Sequence, residues 1–290
     1  MEAFVDFFSA IYIDVSSSMI DRWDDYTPWF LFYCSLHVLF EFGIPFIAPG
    51  VYDVLSRRDA RKAFEAGRTA PPLNRARLAQ QARTSLTSVI MAFHVTSVSL
   101  FALTLSPSVR ALGNNLYGEV PLTRHLINVS VGFFLWDLGI VVLDGMAAEY
   151  VIHAVACLLV FAAAQRPFLH NMAAVVLLFE ASTPFLKLRE ALLSADMAEG
   201  VLFKLNNLVF SLSFFLVRIV FGYWRGVHFW IQIETQIHNG LIQNVPIARL
   251  YECLSGGLTI LNTIWMLRIV KGAVRNEGLS PRVVVPIKTE

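Results

Sequence analysis

The sequence predicts an all-α, multi-pass membrane protein, and two observations carry that prediction. Of 290 residues, 56% are hydrophobic and only 16% are Asp, Glu, Lys or Arg, against about 25% charged in an ordinary globular domain. The apolar residues also gather into seven long windows rather than alternating patterns. Each helical crossing of a bilayer needs roughly 20 mostly apolar residues. In lipid, only helices or closed strand barrels satisfy every backbone polar group, and no alternation runs long enough for a barrel. With a mean hydropathy of +0.58, the chain is too apolar for a soluble surface of this size or for intrinsic disorder. A net charge of +1 provides no field to attract nucleic acid, so no nucleic-acid partner is expected. Cys34, Cys157 and Cys253 form no CxxC pair and read as buried free thiols.

Residues 1–27 carry Asp6, Asp14, Asp21, Arg22, Asp24 and Asp25 among Phe4, Phe7, Phe8, Ile11 and Ile13. They lack the basic start and clean apolar core of a cleaved signal, and read as an interfacial segment. The apolar windows are 28–51, 86–105, 126–143, 150–165, 168–188, 202–223 and 247–270. The fourth is short, and Arg166-Pro167 turns it into the fifth as an antiparallel hairpin. Orientation follows from Lys and Arg in short loops. Arg57, Arg58, Arg61, Lys62, Arg68, Arg75, Arg77 and Arg83 follow the first window, Lys187 and Arg189 end the fifth, and Lys271, Arg275, Arg282 and Lys288 follow the seventh. The opposite side has only Arg22, Arg110, Arg124, Arg166, Arg225 and Arg249. Seven crossings put the first group on one side, which should be cytosolic, with the N-terminus outside.

Charges at membrane depth are costly and therefore candidates for function. Asp137 lies near the middle of the third window. Asp144, seven residues on, points about 20° away on the helical wheel. His153 shares a face with Glu149, Tyr150 and Cys157, and Glu180, Thr183 and Lys187 share another. Pro184 removes the donor that would bond the carbonyl of Glu180, predicting a kink and a free carbonyl there. Arg218 is long enough to snorkel to the outer interface. Asp144 and Lys187 stand at the cytosolic boundary, where water reaches them. Asn206, Asn207 and Asn262 suit interhelical hydrogen bonds. There is no HxxxH, HExxH, GxSxG, P-loop or GxGxxG, so neither a metal nor a cofactor is expected. The Asn128-Val129-Ser130 sequon sits too close to the membrane for glycosylation.

The run Phe179-Glu180-Ala181-Ser182-Thr183-Pro184-Phe185-Leu186-Lys187-Leu188-Arg189 resembles a motif of TLC-domain proteins, membrane proteins related to ceramide synthases. Tyr150-Val151-Ile152-His153, Phe215-Leu216-Val217-Arg218-Ile219 and Leu261-Asn262-Thr263-Ile264-Trp265-Met266 follow the family pattern in order. The match divides the chain into an N-terminal segment, first helix and basic loop (1–79), a TLC domain (80–275) and a tail (276–290). It implies a six-helix barrel around a cavity facing the cytosolic half, with one helix added before it. Asp137, His153, Glu180, Thr183, Arg218 and Asn262 become the candidate cavity residues. The sequence departs from ceramide synthases where they carry a second adjacent histidine (here Ala154), a His-Asp pair and a further Asp (here Phe179, Glu180 and Thr183). It resembles the branch of TLC-domain proteins that are not ceramide synthases.

The leading expectation is a protein that binds a membrane lipid or acyl chain in its cavity and acts in lipid homeostasis. The alternatives are an acyl-CoA-dependent lipid acyltransferase and a structural subunit with a membrane-complex partner. The resemblance implies the endoplasmic reticulum, with the mitochondrial inner membrane as the alternative.

Overall fold

Each apolar window becomes helix in the computed structural model, which describes residues 2–48, 50–67, 69 and 75–274. The helices are α1 (Glu2–Asp21), α2 (Trp23–Ile47), the short α3 (Val51–Leu55) and α4 (Arg57–Glu65), α5 (Arg75–Leu105), α6 (Pro107–Ala111), α7 (Pro121–Leu143), α8 (Ala148–Ala163), α9 (His170–Leu177), α10 (Thr183–Ser194), α11 (Val201–Phe214), α12 (Gly222–His238) and α13 (Val245–Val274). A 3₁₀ stretch, Leu178–Ser182, joins α9 to α10, and a π-helical stretch, Phe215–Phe221, joins α11 to α12. There is no strand among the described residues. The expected tail 276–290, with Arg275, Arg282 and Lys288, and loop residue Arg68 lie outside the described residues.

Of the seven windows, six fall in helices that, among the described residues, are long and apolar enough by themselves to cross a membrane: Trp23–Ile47, Leu78–Leu105, Pro121–Leu143, His170–Ser194, Val201–His238 and Val245–Ala273. The exception is α8. Its 16 residues span about 24 Å at 1.5 Å per residue, short of a core about 30 Å thick. It still runs back alongside α7, bringing Gln165 beside Arg124 at the start of α7, and packs against α1, α7 and α13. The other boundaries move outward for physical reasons. Helix α5 continues through Arg83 because Glu41 of α2 neutralises that charge. Helix α2 begins before Pro28 and runs through both Pro28 and Pro45, each of which removes one backbone donor from the helix.

Helix α7 forms the centre of the bundle, with Leu126, Ile127, Val129 and Val131 fully buried. Gly132 lets α2 lie directly on it. A Cβ there would stand 2.6 Å from the Phe30 backbone nitrogen and from Trp29 Cβ. Helix α1 packs Phe7, Ile11 and Val15 against Phe168, Ile247 and Tyr251. Arg166 pins it with bonds to Asp14 (2.9 Å) and Ser17 (2.6 Å). With α8 counted, successive crossing helices alternate in direction. One end carries α3, α4 and the α10–α11 turn, joined by Arg61–Asp196 at 2.9 Å. The opposite end carries the α8–α9 and α12–α13 turns. Of the three cysteines expected to be buried, only Cys157 is; Cys34 is half-buried and Cys253 exposed, because α2 and α13 turn part of their apolar surface outward.

Candidate functional site

A cavity of about 120 Å³ lies among α7, α8, α9, the Leu178–Ser182 stretch, α12 and α13. Its lining repeats on separate walls. His153 to Ala164, Leu169 to Glu180, Arg218 to Phe229 and Tyr251 to Asn262 each span eleven residues of lining. Eleven residues of α-helix rise about 16 Å. The cavity is therefore a narrow tube, not a chamber. Phe134, Cys157, Phe161, Val176, Leu177, Phe179 and Leu258 make its walls apolar.

His153, Glu180, Arg218 and Asn262 form one end, near mid-depth. Arg218 organises this polar floor. Its Nε donates to the Phe179 carbonyl (3.0 Å) and Ser182 Oγ (3.3 Å). Its terminal nitrogens donate to Asn262 Oδ1 (3.2 Å) and Glu180 Oε1 (3.3 Å). The guanidinium also stands over the Phe214 ring at 5.3 Å. Arg218 is buried and lines the cavity rather than snorkelling outward. Thr183 Oγ1 donates to Glu180 Oε2 at 2.6 Å, so both carboxylate oxygens are occupied. A buried ion pair persists only with such additional bonds.

Two local irregularities make this floor possible. Pro184 does disturb its helix, as the sequence predicts, and the result is the 3₁₀ stretch rather than a free Glu180 carbonyl. The Thr183 backbone N–H donates to that carbonyl, and it is the Phe179 carbonyl that Arg218 takes. The π-helical stretch holds Arg218 itself; such wide turns recur at functional sites.

Asp137 is not among the residues lining the cavity. It stands one turn beyond Phe134 toward the basic end, within electrostatic reach of Lys187 and Glu180. Counting depth from helix ends assumes that the ends are level, and the 3₁₀ stretch breaks that assumption. Thr183 acts through Glu180 and does not line the cavity either. His153 stacks edge-on to Trp265 at 5.6 Å and meets Cys157 Sγ at 3.8 Å, with no carboxylate bonded to it. The tube extends from the floor toward the end opposite the basic loop, not toward the loop as the resemblance implied. Lys187, expected to be solvated, is part-buried and paired with Glu190 at 3.2 Å. Asp144, also expected to meet water, has a buried Oδ2 without a partner. Asn206 donates to the Phe185 carbonyl (2.9 Å) and Asn207 accepts from Arg189 (2.7 Å), both across helices.

Sequence reasoning missed two features. Arg225, assigned to a loop, lies inside α12 and lines the tube; the Gly222-x-x-x-Gly226 spacing beside it was the available signal. His94 and His125 face each other at 2.9 Å beside Trp29. Among the described residues no group of three or more His, Cys, Asp or Glu could hold a metal.

Beyond the tube, a polar network closes the end opposite the basic loop. Arg124 pairs with Glu119 and donates to the Gln165 carbonyl at 2.6 Å. Gln165 donates to Asn128 Oδ1 at 3.1 Å, so the sequon asparagine is buried and bonded. Partial burial pushes the Glu119 carboxyl up, but the hydrogen bond and charge of Arg124 outweigh it and hold the group below its ordinary value.

A family profile described as the TLC domain matches residues 81–271. An uncharacterised TLC domain-containing protein of Schizosaccharomyces pombe is 26% identical over 200 residues, 67% of this chain and 67% of that protein. An uncharacterised TLC domain-containing protein of Saccharomyces cerevisiae is 28% identical over 163 residues, 53% of this chain and 49% of that protein. The chain thus spans about half the length of the second relative. No solved structure matches the chain. The profile covers about two thirds of the sequence, in the region that builds the tube and its polar floor, and this integral membrane protein belongs to the TLC-domain family.

Proposed function

We propose that this protein binds a membrane lipid by a single hydrocarbon chain inside the tube and acts in lipid homeostasis. We place it in the endoplasmic reticulum membrane with its basic end toward the cytosol. The observation that carries the reading is the tube itself. It is a mostly apolar passage of about 120 Å³, drawn out over about 16 Å. Its apolar walls favour a hydrocarbon chain over water, while the polar groups cluster at the floor and at Arg225. The family's association with lipid-related proteins points the same way.

The floor gives less support to acyl transfer. That reaction needs a base for the attacking group and a stabiliser for the oxyanion. Both Glu180 oxygens are engaged by Arg218 and Thr183. His153 has no carboxylate to orient it, and Ala154 supplies no second imidazole.

Gly226 provides the test, because it lines the tube and a Cβ there would meet nothing within 4 Å. Gly226→Leu should fill the tube while leaving the fold intact. Native mass spectrometry of protein extracted in mild detergent should show lipid retained by the wild type and lost from the variant. Equal retention by a folded Gly226→Leu protein would remove the tube as the binding site. A lipid-free wild type that purifies only with a second membrane protein would favour the structural-subunit reading.

A further inference from the structure

One cation in the tube is left over. Glu180 and Arg218 neutralise each other at 3.3 Å. Arg225 stands seven residues farther along the same continuous helix, about 10 Å toward the other end of the tube. Its terminal nitrogen meets the Met172 sulfur at 3.5 Å, and its guanidinium lies 5.6 Å from the Trp224 ring centre. Its Nε is buried without a hydrogen-bond partner. Among the described residues it forms no ion pair. A guanidinium carries five donors in a rigid fork suited to carboxylate and phosphate; Arg225 is half-buried, and of its donors the Nε is the one shielded from water without a partner, which is costly. The adjacent wall is bare: nothing lies within 4 Å of a Cβ built on Gly226.

We infer that Arg225 is an anionic headgroup site, and that the ligand is a single-chain amphiphile with a carboxylate or phosphate head. The narrow tube admits one chain. The charge asymmetry orients it. The floor's carboxylate and guanidinium are already bonded to each other and to neighbours, so an anion gains most beside Arg225, with its chain among Phe161, Val176 and Leu258. This inference rests on the cavity reading above and adds the chemical class of the ligand and its direction.

The test compares ligands of equal chain length in nanodiscs of zwitterionic lipid. Wild-type protein should bind oleate roughly ten- to hundredfold more tightly than oleyl alcohol, the range expected of one charge-assisted hydrogen-bonded pair. Arg225→Gln should abolish that preference by weakening oleate binding far more than oleyl alcohol binding, and Arg225→Lys should restore part of it. Oleyl lysophosphatidic acid should share the Arg225 dependence. Excess inorganic phosphate should not displace oleate; displacement would make this a free-anion site and overturn the headgroup assignment. Equal binding of oleate and oleyl alcohol by the wild type would overturn it too, making Arg225 an interfacial residue reaching water, and would leave the cavity reading standing. Binding of neither would overturn both. The wild-type comparison of oleate with oleyl alcohol decides the matter even if Arg225→Gln fails to fold.

Discussion

Replacing Glu180 by Gln preserves the shape of the polar floor and removes its negative charge. Arg218 keeps the Phe179 carbonyl, Ser182 and Asn262 as partners but becomes an uncompensated buried cation. Removing one member of a buried ion pair costs about 3–5 kcal/mol, most of it the penalty of the orphaned charge. Arg218→Met should cost a similar amount, because it strands the Glu180 carboxylate with only the Thr183 hydroxyl. The double variant has no stranded charge. It loses three other hydrogen bonds of the guanidinium, each worth about 1 kcal/mol net, and should cost about 3 kcal/mol rather than the sum of about 6–10. Reversible unfolding in mild detergent, followed by circular dichroism, gives the four free energies of the cycle. Singles and double that add within about 0.5 kcal/mol would refute the claim that this pair holds the floor together.

Three further outcomes are expected. Gly132→Ala should destabilise by about 1–2 kcal/mol despite the better helix propensity of Ala, since the new Cβ meets the backbone of Phe30; Gly139→Ala on the same helix, with open space around it, should be neutral or stabilising in the same unfolding assay. Glu119 sits below its ordinary value when folded, so the Glu119–Arg124 pair should stabilise the protein above the unfolded carboxyl value of 4.5 and lose that contribution as pH falls below it. Melting curves from pH 6 to pH 3 should show an acid-sensitive component that Glu119→Gln removes. Purified protein given a sphingoid base and long-chain acyl-CoA should show no ceramide synthase turnover; turnover abolished by His153→Ala would promote the enzyme reading.

The class of the protein was legible in one dimension. Apolar windows about 20 residues long fix helix positions because lipid allows the backbone no other open form. His153, Glu180, Arg218 and Asn262 were legible as a group because polar atoms at depth must find partners. Their partners were not. That Arg218 binds Glu180 and Asn262, that Glu41 lets α5 continue through Arg83, and that Asp137 falls below the floor all depend on contacts between helices distant in sequence. Hydropathy is a local sum and carries no such distances. Arg225 shows the limit most clearly. It follows the end of the sixth apolar window at residue 223, and an arginine there reads as a loop charge. Only the tertiary structure, with the π-helical stretch before α12 and the bare Gly226 beside it, shows that its guanidinium lines the tube. The sequence by itself determined which segments are helical and which polar groups needed burial. The tertiary packing decided which of them meet, where the cavity lies and which cation is left unpaired, because those follow from helix rotation and relative depth rather than from composition.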